Sequence, residues 1–382
     1  MSEPNTADRQ DWDVVVVGGG PAGLSAAHAA ATGGARTLVL EKAVHPRYKT
    51  CGGGLIGCTV QAVGDLIDIP ADDHITRVEF THDGRKGFTR RSRGSQKRPL
   101  LQMVRRPRFD DALRVAAEKA GAVVRQSVTA RSLEQTGDAV TVRLAGGGTV
   151  TGRTVIGADG SSGITARHAG VEYGQVDLGL EVELPVGADE AARWKGRLLI
   201  DWGPLPGSYA WVFPKDDLLT VGVIASRGQG ERTKQYLRDF VTRLGLDGIE
   251  PAHDSGHLTR CRTATSPLRT GRVLVAGDAA GLLEPWTREG ISFAVRSGAL
   301  AGAAAASGDL DGYVTAVERR LAPAMTAGRR LLDTFSRRPG LFHAMLRTPP
   351  GWRMFERFCL GETSFEHTVE RLPVRTALKM LR

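Results

Sequence analysis

The amino-acid sequence predicts an α/β fold with an inserted antiparallel sheet (an α+β insert) and a helical C-terminal region. Three observations predict it. Four consecutive valines, Val14-Val15-Val16-Val17, run into a glycine-rich turn and an alanine-rich segment, the pattern of a buried parallel strand feeding a helix. Residues 178–224 change to apolar–polar alternation of period two, broken by Gly, Pro and Asp, the pattern of antiparallel strands. Beyond residue 310 the apolar residues recur at helical spacing. A chain of 382 residues, 41% hydrophobic and 24% charged, has material for two domains or one large domain with an added layer.

In chain order, the valine run is β-branched throughout, so both faces of its strand must be apolar. Residues 24–31 are rich in helix formers, and Gly33-Gly34 supplies a stop. Thr37-Leu38-Val39-Leu40 is the next strand and ends at Glu41, which completes a βαβ unit. Residues 46–57 read as a glycine-rich loop holding Cys51. Residues 85–108 carry ten Lys or Arg and no acid, which does not read as core. A helix is expected over 109–120, with Leu113, Ala116 and Ala117 on one side. Val123-Val124, Val140-Thr141-Val142 and Val155-Ile156 read as strands, with Ala145-Gly146-Gly147-Gly148 as a hairpin turn. The alternating region gives strands at Leu180, Val182 and Leu184, then at 198–200, 210–213 and 219–223. A helix follows near 233–244. Val273-Leu274-Val275-Ala276 is another buried strand, with a small-residue helix after it. The C-terminal helices place Leu331, Leu332, Phe335, then Leu341, Phe342, Met345, Leu346, then Trp352, Phe355 and Phe358 on apolar faces.

Composition narrows the function classes. Glycine is abundant, at 48 residues, but has no three-residue period, so a collagen-like chain is excluded. Four scattered cysteines do not make a disulfide scaffold and fit a reducing, cytoplasmic compartment. The polar first dozen residues lack the order of a secretory signal. The uncharged stretch 14–35 is interrupted by glycines, a proline and a histidine, so it reads as strand, turn and helix rather than a membrane span. No Cys/His grouping has metal-ligand spacing and no serine sits in a nucleophile elbow, so no metal is expected. Net charge is +9. The basic segments hold no nucleic-acid reading motif, so no nucleic-acid partner is expected. They read as a solvated face, or as a peripheral membrane contact if the substrate is a lipid.

Gly18-Gly19-Gly20-Pro21-Ala22-Gly23 is GxGxxG placed directly after a strand and opening a helix. Gly18 permits the tight turn, Gly20 lets backbone approach a pyrophosphate, and Gly23 allows close helix–strand packing. The helix N-terminus at Pro21 and Ala22 offers free N–H groups to the phosphates. Glu41, with Lys42 beside it, ends the second strand where it can accept both ribose hydroxyls, which favours FAD or NAD over NADP. Two later segments select FAD. Asp159-Gly160 follows a strand, with Arg167 beyond it, and Gly277-Asp278 follows another, with the small residues Ala279-Ala280-Gly281 after it. A carboxylate at a strand tip can hydrogen-bond a ribitol, which NAD lacks. The helix behind it points its positive end at the flavin N1–C2=O edge. The expected organisation is a discontinuous Rossmann-like FAD-binding domain over 1–75, 101–177 and 265–315. An antiparallel-sheet substrate domain occupies 76–100 and 178–264, and a C-terminal helical region 316–382.

On these motifs the chain resembles the flavoproteins built like p-hydroxybenzoate hydroxylase and, within them, the geranylgeranyl reductase family, from about residue 13 to about 372. The resemblance implies that Arg106 lies near the FAD phosphates and ribitol, that Val128 meets the adenine through its backbone, and that Gly290 and Ile291 lie close to the flavin pyrimidine. Lys49-Thr50-Cys51-Gly52-Gly53-Gly54 is similar to the family's cysteine–glycine loop beside the flavin ring. Tyr209-Ala210-Trp211-Val212-Phe213-Pro214 is similar to its YxWxFP motif. Period-two geometry sends Tyr209, Trp211 and Phe213 to one face as an aromatic wall, which suits a long apolar substrate. Pro285 and Trp286 are grouped with these substrate residues. The chain departs from the family at Arg288, where a glycine is usual. A guanidinium there could stabilise an anionic reduced flavin, or turn to solvent and close part of the cavity.

The implied activity is FAD-dependent reduction of carbon–carbon double bonds in a hydrophobic, prenyl or polyene-like substrate. Hydride comes from reduced flavin N5, and Cys51 donates or places the proton. An external electron donor, NAD(P)H or a reductase, is required. The alternatives are an oxygen-dependent hydroxylase or halogenase of the same fold, the latter wanting a pocket lysine, and a non-redox flavoprotein.

Overall fold

The computed structural model describes residues 12–92 and 98–369. The polar N-terminal segment, part of the basic run and the end of the C-terminal helical region lie outside the described residues.

The first sheet has five parallel strands in the order Val273–Val275, Thr149–Gly157, Trp12–Val17, Thr37–Leu40 and Val123–Arg125. Val14, Val15 and Val16 are 0% exposed because both faces are covered. Val14 and Val16 join a core with helices Pro21–Thr32, Arg106–Lys119 and Ile291–Ser307. Val15 and Val17 instead meet Val140 and Val142 of strand Ala139–Leu144, which pairs antiparallel onto Thr149–Gly157, and Val150 of that strand. At the turn after the valines Gly18 has φ +109°, and a Cβ there would stand 2.3 Å from the Ala158 carbonyl oxygen. Only glycine fits. The small residues of Ile291–Ser307 have a packing reason: a Cβ at Gly298 or Gly302 would stand 2.1 Å from the carbonyl oxygen of Ala22 or Ala26.

The second sheet has seven strands, ordered His253–Arg262, Tyr173–Pro185, Leu218–Ser226, Tyr209–Lys215, Arg197–Trp202, Arg77–His82 and Arg85–Arg91. All pairs are antiparallel except Arg197–Trp202 with Arg77–His82. Helix Gly230–Arg243 covers one face, where Ala210, Val212, Val221 and Val223 meet Tyr236 and Phe240. The other face carries Tyr209 and Phe213 and packs toward the C-terminal helices Ala322–Arg337, Pro339–Arg347 and Pro349–Cys359. Among the described residues no helix is long and apolar enough to cross a membrane.

Three local expectations change. The loop expected over 46–57 ends early: Gly54–Ile56 is a strand in a three-stranded sheet with Leu101–Val104 and Ala71–Ile75, and a helix starts at Gly57. A three-residue strand shows no readable period. Residues 85–108, which do not read as core, include an exposed edge strand, Arg85–Arg91, but also the buried Met103 and Val104 of Leu101–Val104 and the start of helix Arg106–Lys119. The residues after Val275 form only a short 3₁₀ turn, Gly277–Ala280, and the long helix begins at Ile291. Gly281, in the left-handed region, ends that turn.

Candidate functional site

One cavity of about 850 Å³ runs from the GxGxxG turn to the C-terminal helices. That is toward the upper end of the range for sites that bury a small molecule. At its dinucleotide end helix Pro21–Thr32 has no side-chain cap, so its first N–H groups have no side-chain acceptor. The buried Glu41 carboxylate accepts from Gly19 N–H at 2.5 Å and Ala43 N–H at 2.8 Å. Val128 N–H donates to the Glu41 carbonyl at 2.9 Å, which brings the two residues to one wall.

Arg106 is buried and bidentate to Asp110, with both contacts at 2.8 Å, and Arg47 reaches the same carboxylate at 3.3 Å. Burial opposes the charge on Arg106, but Asp110 and Cys51 outweigh it and hold the guanidinium protonated. Asp278 opens onto the cavity with His257 Nε2 3.7 Å away, an ion-pair distance rather than a hydrogen bond. Burial works against its ionised form, yet His257, Lys49 and Arg106 hold it below the ordinary carboxylate range. Asp159 stands on the same wall, but its carboxylate accepts from the Ile164 and Thr165 N–H groups and the Thr165 hydroxyl. These bonds satisfy the first N–H groups of helix Ile164–Ala169.

The Cys51 loop crosses the middle of the cavity. Cys51 N–H donates to Glu181 Oε1 at 2.7 Å, and Gly53 N–H points to Cys51 Sγ at 3.4 Å. Buried Lys215 reaches both the Cys51 carbonyl and Glu183 at 3.4 Å. Tyr48 hydroxyl donates to Glu181 at 3.3 Å and shares a 2.8 Å hydrogen bond with Ser255. Burial raises the Glu181 carboxyl. Lys49 lines the cavity, and burial, then Arg106, lowers its ammonium. Glu181, Lys215 and His257 were not singled out from sequence, and Lys49 was named only as the first residue of the cysteine–glycine loop. A signal existed: Asp177, Glu181 and Glu183 share one face of a strand whose other face is apolar.

Beyond the loop the cavity is apolar. Tyr209, Trp211 and Phe213 line it, with ring centroids 5.9 and 6.0 Å apart in succession. Trp211 lies over Gly222, where a Cβ would stand 2.2 Å from its ring. Phe80, Ile200 and Trp202 continue the lobe along the sheet, and Phe355, Phe358 and Phe365 close it from the C-terminal helices. Trp286 packs on the C-terminal side, 5.2 Å from Phe342 and 5.3 Å from Phe365.

Of the other residues singled out from sequence, Gly18, Gly20, Pro21 and Ala22 line the dinucleotide end with Lys42 and Gly160. Gly52, Gly53, Gly290 and Ile291 line the middle. Gly23, Gly277 and Pro285 do not line the cavity. A Cβ at Gly23 would stand 1.8 Å from the Gly18 carbonyl oxygen, and one at Gly277 2.8 Å from Ala22 Cβ, so both glycines serve packing. Pro285 turns toward Gly328 of helix Ala322–Arg337. The Arg288 side chain does not turn to solvent: it is buried at the cavity wall and pairs with Asp177 at 3.0 Å. Its neighbour Glu289 accepts from Thr59 hydroxyl at 3.1 Å and Ser292 N–H at 2.7 Å, and burial pushes its carboxyl up to about 7.

These residues fit an FAD. An uncapped helix N-terminus and the buried Glu41 carboxylate stand at one end, and the Asp278 carboxylate follows in the turn after the strand Val273–Val275. Trp211 Nε1, His257 Nε2 and Thr259 Oγ1, on lining residues, are buried polar atoms with no protein hydrogen bond. Residues 11–306 match the FAD binding domain family, so the fold and site define an FAD-binding flavoprotein. Within that class the chain belongs to the geranylgeranyl reductase family and is an FAD-dependent oxidoreductase. It is 31% identical over 310 residues to the digeranylgeranylglycerophospholipid reductase of Methanocaldococcus jannaschii, covering 76% of each chain. It is 31% identical over 341 residues to the menaquinone reductase of Mycobacterium tuberculosis, covering 83% of this chain and 80% of the relative. The crystal structure of a geranylgeranyl bacteriochlorophyll reductase-like protein from Thermoplasma acidophilum superposes with a TM-score of 0.77 at 21% identity, covering 97% of this chain and 99% of that one.

Proposed function

We propose that the chain reduces carbon–carbon double bonds of a neutral, prenyl-like apolar chain. The observation that carries this reading is the continuity of the cavity: the aromatic lobe and the dinucleotide end are one space, meeting at the Cys51 loop. The relatives named above are a prenyl-lipid reductase and a quinone reductase, and both names agree with an apolar substrate. In this reading Glu41, the helix N-terminus at Pro21 and Ala22, Arg106 and Asp278 hold FAD, which supplies a hydride equivalent once reduced by an external donor. Tyr209, Trp211 and Phe213 orient the chain, and Phe355, Phe358 and Phe365 exclude water from it. Cys51 places or delivers the proton. Glu181 and Lys215 hold its backbone, and Gly53 N–H points to its Sγ at 3.4 Å.

The oxygen-using alternative is favoured by one observation, the lysine at the cavity wall beside Cys51, Lys49. One experiment separates the two. Dithionite-reduced protein is incubated without oxygen with a panel of polyprenyl and polyene compounds and the products are weighed by mass spectrometry. A gain of two hydrogens supports the reductase. Turnover that requires oxygen, with incorporation of oxygen or halide, refutes it.

A further inference from the structure

Arg288 is unexplained by either cofactor binding or the aromatic wall. Its backbone has φ +56°, a left-handed conformation that a long side chain adopts at a cost and glycine adopts freely. The side chain nonetheless folds inward and is 4% exposed. Nε donates to Asp177 Oδ2 at 3.0 Å, and Nη1 donates to the Trp286 carbonyl at 2.6 Å. The guanidinium lies 5.7 Å from the Tyr209 ring centroid. Asp177 is itself held by Gln175 Nε2 at 2.7 Å, which also donates to the Pro285 carbonyl at 3.0 Å. Tyr209 hydroxyl donates to the Thr287 carbonyl. The charge is thus neutralised in place, and Arg288 meets the cavity as a fixed body rather than as a free cation. It stands at the Tyr209 end of the wall, whereas Phe213 at the other end abuts Gly52.

We propose that Arg288 is a specificity-determining residue: pinned by Asp177 across the Tyr209 ring, it closes that end of the aromatic lobe and limits the length of apolar chain the lobe can seat. This rests on the reading of the lobe as a seat for a prenyl-like chain. Substitution by glycine removes the stop and relieves the backbone. Pairing it with Asp177→Asn avoids leaving a buried carboxylate without its partner.

The test is equilibrium binding of geraniol, farnesol, geranylgeraniol and geranylfarnesol to the oxidised, FAD-loaded protein, read by tryptophan quenching. Wild-type affinity rises with chain length to a plateau. In Arg288→Gly/Asp177→Asn the plateau moves out by at least one isoprene unit, and the longest alcohol binds at least ten-fold more tightly than to wild type. Arg288→Lys, which keeps the pair, keeps the wild-type plateau. Arg288→Asn, short and tolerant of the left-handed backbone, shows the same outward shift and decides the matter if the double variant does not fold. An unchanged length profile in these variants with flavin still bound overturns the role of Arg288 and leaves the prenyl reading standing. Failure of wild type to bind any of the alcohols overturns both.

Discussion

Gly52 and Gly53 are adjacent in the loop that joins the two halves of the cavity, yet alanine should act in opposite ways at the two positions. At Gly53 φ is +72°, and a Cβ would stand 2.2 Å from the Val104 carbonyl oxygen. The left-handed backbone alone costs alanine about 1–2 kcal/mol. That oxygen belongs to a paired strand whose N–H donates back to Gly53 at 2.9 Å, so it cannot yield without loss of a hydrogen bond. The overlap adds about 1–3 kcal/mol, for a total of about 2–5 kcal/mol. At Gly52 no left-handed conformation is involved, and the Cβ meets the edge of the Phe213 ring at 2.8 Å. A half-buried ring can turn, and alanine also narrows the unfolded ensemble, so the net change in stability stays within about 1 kcal/mol. The turned ring disturbs the wall, and affinity for a prenyl alcohol falls roughly ten-fold, the equivalent of about 1.4 kcal/mol. Urea unfolding of the FAD-loaded proteins gives the first quantity and tryptophan quenching by geranylgeraniol the second. Equal destabilisation by the two substitutions, or a Gly52→Ala protein with wild-type affinity, would refute the placement of the loop against Phe213.

Other expectations follow from the site. Asp110→Asn leaves the buried Arg106 without its carboxylate and should destabilise by about 3–5 kcal/mol. Arg106→Met/Asp110→Leu should lose less than Asp110→Asn alone, and chemical denaturation of the three proteins checks the order. Glu289 titrates near 4.5 when unfolded and near 7 when folded, so the folded state binds the extra proton and stability falls as pH rises through that window. Glu289→Gln should therefore gain on wild type by about 3 kcal/mol between pH 4.5 and pH 8; a pH-independent difference in melting contradicts the burial of that carboxyl. Cys51→Ala should retain FAD and slow alkene reduction by roughly ten-fold or more, within the usual range for loss of a proton donor. An unchanged rate in anaerobic single turnover removes Cys51 from the chemistry.

Local signals in the sequence located much of this. Val14 to Gly23 carries its strand, turn and helix in consecutive residues, so the dinucleotide end was legible without the fold. Tyr209, Trp211 and Phe213 were legible because a strand's period sends alternate residues to one face. What stayed hidden depends on contacts across long sequence separations. Glu181 reaches Cys51 and Arg288 reaches Asp177 only after the second sheet docks on the first. Helical spacing correctly marked Phe355 and Phe358 as one apolar face, but a period cannot say what that face meets, and here it closes the cavity. Asp159 shows the converse limit. The residue lies where the motif puts it, and the motif does not show that its carboxylate also accepts from a helix that begins five residues later.

FAD and an apolar chain should occupy one cavity and touch. This is tested by titrating the oxidised, FAD-loaded protein with geranylgeraniol while recording the flavin absorption and emission. A saturable change in the flavin spectrum at one chain per FAD, lost in Trp211→Ala, is expected. Chain binding that leaves the flavin spectrum untouched contradicts the account.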